Sequence, residues 1–328
     1  MHVMIIGAAG MIGRKLMAAL ARQGAIGGQA IGRLTGVDIV TPDMPDFSGG
    51  GEAIAADLSA DGAAERLVAS RPDLIFHLAA IVSGEAESDF EKGYRINMDG
   101  TRALFEAIRR EGEKRAWCPK VVFTSSIAVF GEPLPEEIDD TFVLAPLTSY
   151  GTQKAIGELL LADYSRRGFL DGIGIRLPTI TVRPGKPNLA ASSFFSSILR
   201  EPLSGKPAIL PVDESLRHWF ASPRAAVGFL LHAAELDTGT LGARRTLSMP
   251  GLSATVGEAI EALRRIAGDR AADLIRREPD EAVARIVASW PKKFAAHRAT
   301  ELGFRAETSF DEIIHAHIED ELDGNLPA

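Results

Sequence analysis

The sequence predicts an α/β protein: a Rossmann-type doubly wound parallel sheet followed by a smaller C-terminal domain. Three observations predict it. An apolar run passes directly into a spaced glycine triplet, strand-like and helical patterns alternate through the first half, and that alternation breaks after residue 177.

The first element is the apolar run His2-Val-Met-Ile-Ile6, a strand. It leads into Gly7-Ala-Ala-Gly10-Met-Ile-Gly13, after which Ile12, Leu16, Ala19 and Leu20 recur at helical spacing. In a strand–turn–helix unit of this kind Gly7 permits the tight turn, Gly10 lets the backbone approach a pyrophosphate, and Gly13 allows close helix–strand packing. The helix start offers free N–H groups and a positive dipole end to the phosphates. The second strand, Gly36-Val-Asp-Ile-Val40, places Asp38 where an acid accepts hydrogen bonds from ribose hydroxyls and repels a 2′-phosphate, which favours NAD over NADP. Asp57, after Ala53-Ile-Ala55, is placed to reach the adenine amino group.

Further strands are expected at Leu74–Leu78, Val121–Thr124 and Gly174–Leu177, with helices around 61–70, 88–111 and 149–167. In a parallel sheet, ligands bind beyond the carboxyl ends of the strands, where Gly7, Asp38, His77, Ser126 and Arg176 all fall. Two Pro/Gly-rich loops interrupt the pattern, at 41–52 and 131–148. From about 178, prolines punctuate short segments, with helices near 223–236 and 256–267. This reads as a smaller domain folded over the sheet edge, the 223–236 helix returning to the first domain.

Tyr150 and Lys154 stand four apart, one turn of a helix, with Ser125 and Ser126 one loop upstream. A free phenol titrates near ~10 and is a poor base at neutral pH. A fixed cation beside it favours the phenolate, and a serine hydroxyl aimed at the same point holds a substrate oxygen.

Composition excludes several classes. With 44 acidic and 36 basic side chains the net charge is −8, and basic residues form no long run, so neither nucleic acid nor an anionic membrane is the expected partner. One cysteine, Cys118, supports neither a disulfide framework nor a thiolate metal site. His315 and His317, two apart on a predicted helix, suit a solvated face better than a metal. The N-terminus has no basic leader and no apolar run approaches the ~18 residues of a membrane span, so a cytoplasmic protein is expected.

Together these residues resemble the extended short-chain dehydrogenase/reductase superfamily, the NAD-dependent epimerases and dehydratases. The resemblance runs through the glycine loop, Asp38, Asp57, His77-Leu-Ala-Ala80, Asn97 with Gly100-Thr101, Thr124-Ser-Ser126, Val129-Phe-Gly131 and Tyr150-x-x-x-Lys154. It implies that Ser126 is the catalytic serine, that Tyr150 is the acid/base, and that Lys154 both tunes Tyr150 and holds the nicotinamide ribose. Ala79 and Ala80 would admit the cofactor backbone-close, and Asn97 would shape the helix behind the proton relay. The expected NAD contacts are then Gly7, Gly10, Met11, Ile12, Gly13, Asp38, Asp57, Leu58, Ala79, Ala80, Asn97, Ser126, Tyr150, Lys154 and Pro178. Residues 1–177 would be the NAD-binding domain and 178–328 the substrate-binding domain. The resemblance also implies a homodimer through helices 88–111 and 149–167.

Two departures bear on the substrate. Ile127-Ala128 follow Ser126 where the family's dehydratases carry an acidic pair, and Thr179 stands where nucleotide-sugar enzymes have an asparagine. The segments 148–161 and 176–196 are similar to those of enzymes that oxidise C2 of a four-carbon sugar acid. Such a substrate brings a carboxylate, for which Arg183, Lys186 and Arg217 are candidates, with Ser83, Thr179, Asn188, Ser192 and Ser193 for its hydroxyls. The alternatives are an epimerase that retains its NAD and, from another class, an NAD-binding regulator without turnover. The intact Ser126, Tyr150 and Lys154 argue against the latter.

Overall fold

The computed structural model describes residues 1–185 and 192–326. They form two units, the first comprising Met1–Val129, Thr148–Arg176 and Val227–Leu247, the second the remainder. The loop from 130 to 147 thus groups with the second unit, and the end of the helix Pro223–Glu235 groups with the first.

In the first unit, seven strands form one sheet: β1 (His2–Ile6), β2 (Arg33–Asp38), β3 (Gly50–Ala55), β4 (Leu74–His77), β5 (Lys120–Ser126), β6 (Asp171–Leu177) and β7 (Thr246–Ser248). Their spatial order is β7-β6-β5-β4-β1-β2-β3. The pairings of β1 with β2 and β4, of β2 with β3 and of β4 with β5 are all parallel. Strand order reverses between β1 and β4, and this switch point is where an open α/β sheet opens a crevice for ligands.

The strands read as continuous apolar runs because both faces are covered: Val3 to Ile6, Leu74 to Phe76 and Val121 to Phe123 are all buried. Helices α1 (Met11–Gln23), α2 (Ala63–Val68), α3 (Gly100–Lys114) and α4 (Ser149–Arg166) accompany the sheet. The core on one face joins Met4, Ile6, Ile75, Val121 and Phe123 to Leu67 of α2, Leu104, Phe105 and Ile108 of α3, and Leu161 of α4. Each such side chain contributes roughly 1.5–3 kcal/mol by leaving water. α3 needs only one apolar stripe for this, and its opposite face carries the ion pairs Arg109–Glu106 and Arg109–Glu113.

Three elements differ from the sequence expectation. β2 stops at Asp38, leaving Ile39 and Val40 exposed, because the Asp38 carboxylate accepts the Ile39 N–H and turns the chain away from the sheet. The glycine end of the expected 41–52 linker joins β3, where Gly50 and Gly51 pair with Arg33 and Leu34 at the sheet edge. The single helix expected over 88–111 is broken into Ser83–Ser88, Phe90–Gly93, a π-helical turn Tyr94–Asp99 and α3. Asp89 caps the second piece by accepting the Lys92 N–H. The wider π turn buries Asn97 and accompanies its side-chain bonds to Ile81.

The second unit holds a three-stranded sheet of Thr179–Ile180, Arg217–Ala221 and Leu252–Thr255. Helices Ser193–Leu203, Val256–Ala267 and Phe310–Glu321 pack Phe195, Leu199, Ile260, Leu263, Ile313 and Ile314 into one cluster with Phe220. Thr255 and Glu258 form a reciprocal capping box at the start of Val256–Ala267. The expected loop 131–148 contributes the short strand Ile138–Asp139, parallel to Phe294–Ala295. His317, expected on a solvated face, is buried, while His315 is exposed.

Candidate active site

The glycine loop is built by steric necessity. Gly7 has a φ of +98° and a Cβ there would lie 2.6 Å from the Ala79 N, while a Cβ on Gly13 would lie 2.1 Å from the Gly7 carbonyl oxygen. Nothing larger permits the loop to sit against the end of β4 and against α1. At Gly10 a Cβ would meet only the Gly7 oxygen, at 3.4 Å, so the chain itself leaves that side open. Met11, Ile12 and Gly13 form the first turn of α1, whose N-terminus has no side-chain cap and no acidic residue. Its N–H groups are therefore available to an anion.

Asp38 accepts the Ala9 N–H at 2.9 Å through Oδ2 and the Ile39 N–H at 2.7 Å through Oδ1. A carboxylate has about four acceptor positions, so each oxygen keeps one for a ribose hydroxyl. These features fit a dinucleotide: an open backbone face, an uncapped helix start and a tethered acid. Asp57 is more committed than expected. It lies past the end of β3 and accepts from Ser59 N and Oγ and from Arg95 Nη1 at 3.0 Å. The Ser59 hydroxyl, assisted by Arg95, holds its carboxyl below the usual range. Leu58 is buried in the first-unit core, which leaves only its backbone for a ligand. Ala79 donates its N–H to the Ile6 carbonyl, and with Ala80 it follows β4 beside Gly7.

Around Lys154 lies a connected set of buried polar groups. The Lys154 ammonium donates to the Thr124 carbonyl at 2.8 Å, and the Thr124 hydroxyl donates to the His77 carbonyl. Thr101 donates to the Asn97 carbonyl, so its oxygen accepts from His77 Nε2, which fixes the His77 tautomer. Asn97 accepts the Ile81 N–H, donates to the Ile81 carbonyl and donates to Gln153 Oε1 on α4 at 2.8 Å. Asn97 therefore ties the chain after β4 to the helix carrying Tyr150. Burial, assisted by Lys154, pushes His77 down to about 3, so it is a neutral packed residue and no base near neutral pH. Thr148 caps α4 by accepting the Gly151 N–H, and Glu87 accepts the Ser149 N–H.

Tyr150 is half-buried, and the Ser126 hydroxyl, which accepts the Ala128 N–H at 3.2 Å, is the polar side chain acting on its phenol. The electrostatics differ from the sequence expectation, in which Lys154 draws the phenol into working range. Burial pushes the Tyr150 phenol up to about 12, against the opposing hydrogen bond from Ser126. Burial also pushes the Lys154 ammonium down to about 8, against the opposing charge of Glu158. Desolvation acts on both partners, and it disfavours the charged form of each.

The residues expected to bind substrate divide between the units. Ser83 opens the short helix after β4. The others belong to the second unit. Pro178, expected as an NAD contact, also belongs to the second unit and is buried after β6. Thr179 Oγ1 and His218 Nε2 share a hydrogen bond of 2.7 Å, so the threonine hydroxyl is engaged within the second unit. His218 stacks on Phe195, and burial pushes it down to about 4, making it core rather than chemistry. Arg217 donates to the Ser253 carbonyl at 3.0 Å and pairs with Glu258 at 3.2 Å. Arg183 is different: among the described residues its side chain bonds Ser196 Oγ, from Nε at 3.4 Å, and burial together with Arg200 lowers its pKa. Ser192 precedes the helix Ser193–Leu203 without capping it. Lys186 and Asn188 lie outside the described residues.

Sequence reasoning missed Glu158, Gln153 and the capping role of Glu87. Glu158 had one available signal, its place four residues beyond Lys154. Arg176, near the carboxyl end of β6 as expected, is paired with Glu158 at 2.7 Å.

Residues 3–241 match the profile described as the NAD dependent epimerase/dehydratase family. The D-erythronate dehydrogenase of Cupriavidus necator is 49% identical over 98% of each chain. That of Haemophilus influenzae is 41% identical over 97% of this chain and 99% of its own. A crystal structure described as the nucleoside-diphosphate-sugar epimerase from Agrobacterium tumefaciens is 66% identical, with a TM-score of 0.98 over 100% of this chain and 96% of its own.

Proposed function

The chain belongs to the NAD dependent epimerase/dehydratase family and takes NAD, and from that premise we propose that it oxidises the C2 hydroxyl of a small sugar acid, D-erythronate, to the 2-oxo acid. The observation that carries the reading is full-length similarity to two D-erythronate dehydrogenases, joined to a Ser126–Tyr150–Lys154 arrangement able to remove an alcohol proton.

The proposed mechanism assigns Tyr150 as the base that takes the C2 hydroxyl proton, with Ser126 fixing the same oxygen by a hydrogen bond. The glycine loop, Asp38 and Lys154 would hold NAD, which when bound would supply the carbon able to accept the hydride and one positive charge. For the phenol to act it must come down from about 12. Lys154 Nζ stands 5.8 Å from the Tyr150 ring centre. A unit charge about 6 Å away at an effective dielectric of about 20 is worth about 3 kcal/mol, or about two pKa units. A protonated Lys154 is thus large enough to matter, and a neutral one contributes nothing. Arg183, which has no carboxylate partner among the described residues, is proposed as the anchor for the substrate carboxylate in preference to Arg217, which already has Glu258. Ser83, Thr179 and Ser192 remain proposed contacts for its hydroxyls.

NADH absorbance followed over a panel of four-, five- and six-carbon aldonates and their epimers tests the reading. D-erythronate should give the highest kcat/KM. A second reading, an epimerase that returns the hydride, is favoured by the 66% identity to the structure described as a nucleoside-diphosphate-sugar epimerase. Tightly retained NAD with no net NADH on any aldonate would support it.

No helix among the described residues is long and apolar enough to cross a membrane. We infer a cytoplasmic homodimer joined through α3 and α4; support comes from Leu159 on α4, 66% exposed. A monomeric mass in solution would exclude the dimer.

A further inference from the structure

Tyr150, Lys154 and Glu158 stand four apart on α4 and share one stripe of the helix. Glu158 takes no part in the proton transfer proposed above, yet it is extensively bonded. Arg176 of β6 donates to it from Nε, at 2.9 Å to Oε1, and from Nη2, at 2.7 Å to Oε2. Ser125 of β5 donates to the same Oε1 at 2.5 Å. The Glu158 and Arg176 side chains are only 4% and 12% exposed. A buried ion pair is often no more stable than apolar residues of the same volume, so stability alone gives little reason for one here.

Its position supplies another reason. Ser125 and Ser126 are consecutive in β5, so their side chains leave opposite faces of the strand. Glu158 grips the first from α4, which fixes the strand end from which the second meets Tyr150. The charged and titratable groups around Lys154 are Tyr150 and Glu158 on its own helix, His77 from β4, and Arg176 behind Glu158. His77 is neutral near neutral pH, and Glu158 is the negative charge of the group.

We propose that Glu158, clamped by Arg176 and Ser125, is a positioning residue of this site, setting Ser126 against Tyr150 and keeping the neighbouring Lys154 protonated. The proposal rests on the reading of Tyr150 and Lys154 as the proton handle. Because Lys154 must be charged to hold the phenol in range, the alkaline limit of activity belongs in part to Glu158. The sign is fixed by electrostatics: removing the negative charge makes the ammonium easier to deprotonate, and removing Arg176 makes it harder.

The test compares wild type, Glu158→Gln, Arg176→Met, the double variant and Tyr150→Phe. The single changes each remove one side of a buried ion pair and are expected to lower stability; the double variant removes both sides and should fold. Two readouts are taken: the pH profile of kcat/KM, and the titration of Lys154 by NMR of 13C-labelled lysine in the protein without substrate. In Glu158→Gln the alkaline limb and the Lys154 titration should both move to lower pH by about one unit. They should move less in the double variant and in the opposite direction in Arg176→Met, with NAD affinity within about twofold of wild type throughout. An unmoved limb and an unmoved Lys154 titration in the folded double variant and in Glu158→Gln would overturn the proposal. Normal turnover by Tyr150→Phe would instead reject the underlying reading, and the proposal with it; an inactive Tyr150→Phe confines any failure to Glu158.

Discussion

Lys154 directs its ammonium to the carbonyl of Thr124, at 2.8 Å, while standing 5.8 Å from the centre of the Tyr150 ring. The cation is thus tethered to β5, the strand that carries Ser126, and acts on the phenol through space. Its effect depends on remaining charged in a site where burial works against charge.

Tyr150→Phe keeps the ring and deletes the proton handle. Turnover should fall by roughly 10²–10⁴-fold, while NAD affinity measured by calorimetry stays near wild type. Loss of NAD binding alongside activity would mean that the phenol holds the cofactor instead.

Lys154→Met separates stability from activity. The folded ammonium titrates at about 8 against 10.5 for a free one, so below about pH 8 the fold holds a charge that burial disfavours. For wild type this contribution should make stability rise as pH climbs from about 8 to about 10.5. The methionine variant should lack that rise, be at least as stable at pH 7, and be nearly inactive. A variant less stable at pH 7 would show that the Thr124 hydrogen bond outweighs desolvation.

The buried histidines set an acid limit. His77 and His218 titrate at about 3 and about 4 in the folded chain, below the free value of 6.5. Depressed values of this kind give stability that is complete above about pH 6.5 and lost as pH falls through the window toward the folded values. Each contributes a slope of up to about 1.4 kcal/mol per pH unit there. Thermal melts between pH 6.5 and 5 should show that loss, with His218→Gln and His77→Gln each removing part of the slope.

Gly13→Ala places a methyl 2.1 Å from the Gly7 carbonyl oxygen, so the glycine loop must move. Overpacking of that kind costs typically about 1–3 kcal/mol. NAD affinity should drop more than tenfold, because the same loop is the phosphate cradle. Gly10→Ala has space within the fold and should lose NAD affinity with little change in melting temperature.

Arg183→Met should raise KM for the sugar acid by tenfold or more with kcat little changed, whereas Arg217→Met should have a smaller effect. The difference follows from Arg217 already being paired with Glu258. If neither variant changes KM, the carboxylate is held elsewhere.

Much of this was legible in the sequence. Strand β1, the glycine loop and the helices at 149–167, 223–236 and 256–267 follow from periodicity and glycine spacing, because a parallel sheet buried on both faces leaves uninterrupted apolar runs. Ile39 and Val40 extend such a run by composition, but the Asp38 carboxylate ends the strand first. The π turn at Tyr94–Asp99 was hidden because its stabilising bonds run from Asn97 to Ile81, sixteen residues away. Glu158 escaped notice for a similar reason. An acid on an apolar helix looks like a solvated position until Arg176 and Ser125, from two different strands, are brought to it by the fold.

Transfer of a labelled hydrogen tests the proposed chemistry most directly. With D-erythronate deuterated at C2, the reaction should yield deuterated NADH, a primary isotope effect on kcat/KM, and no signal from Tyr150→Phe. Unlabelled NADH would place the oxidation at another carbon, and deuterium returned to the sugar acid without NADH release would contradict net oxidation altogether.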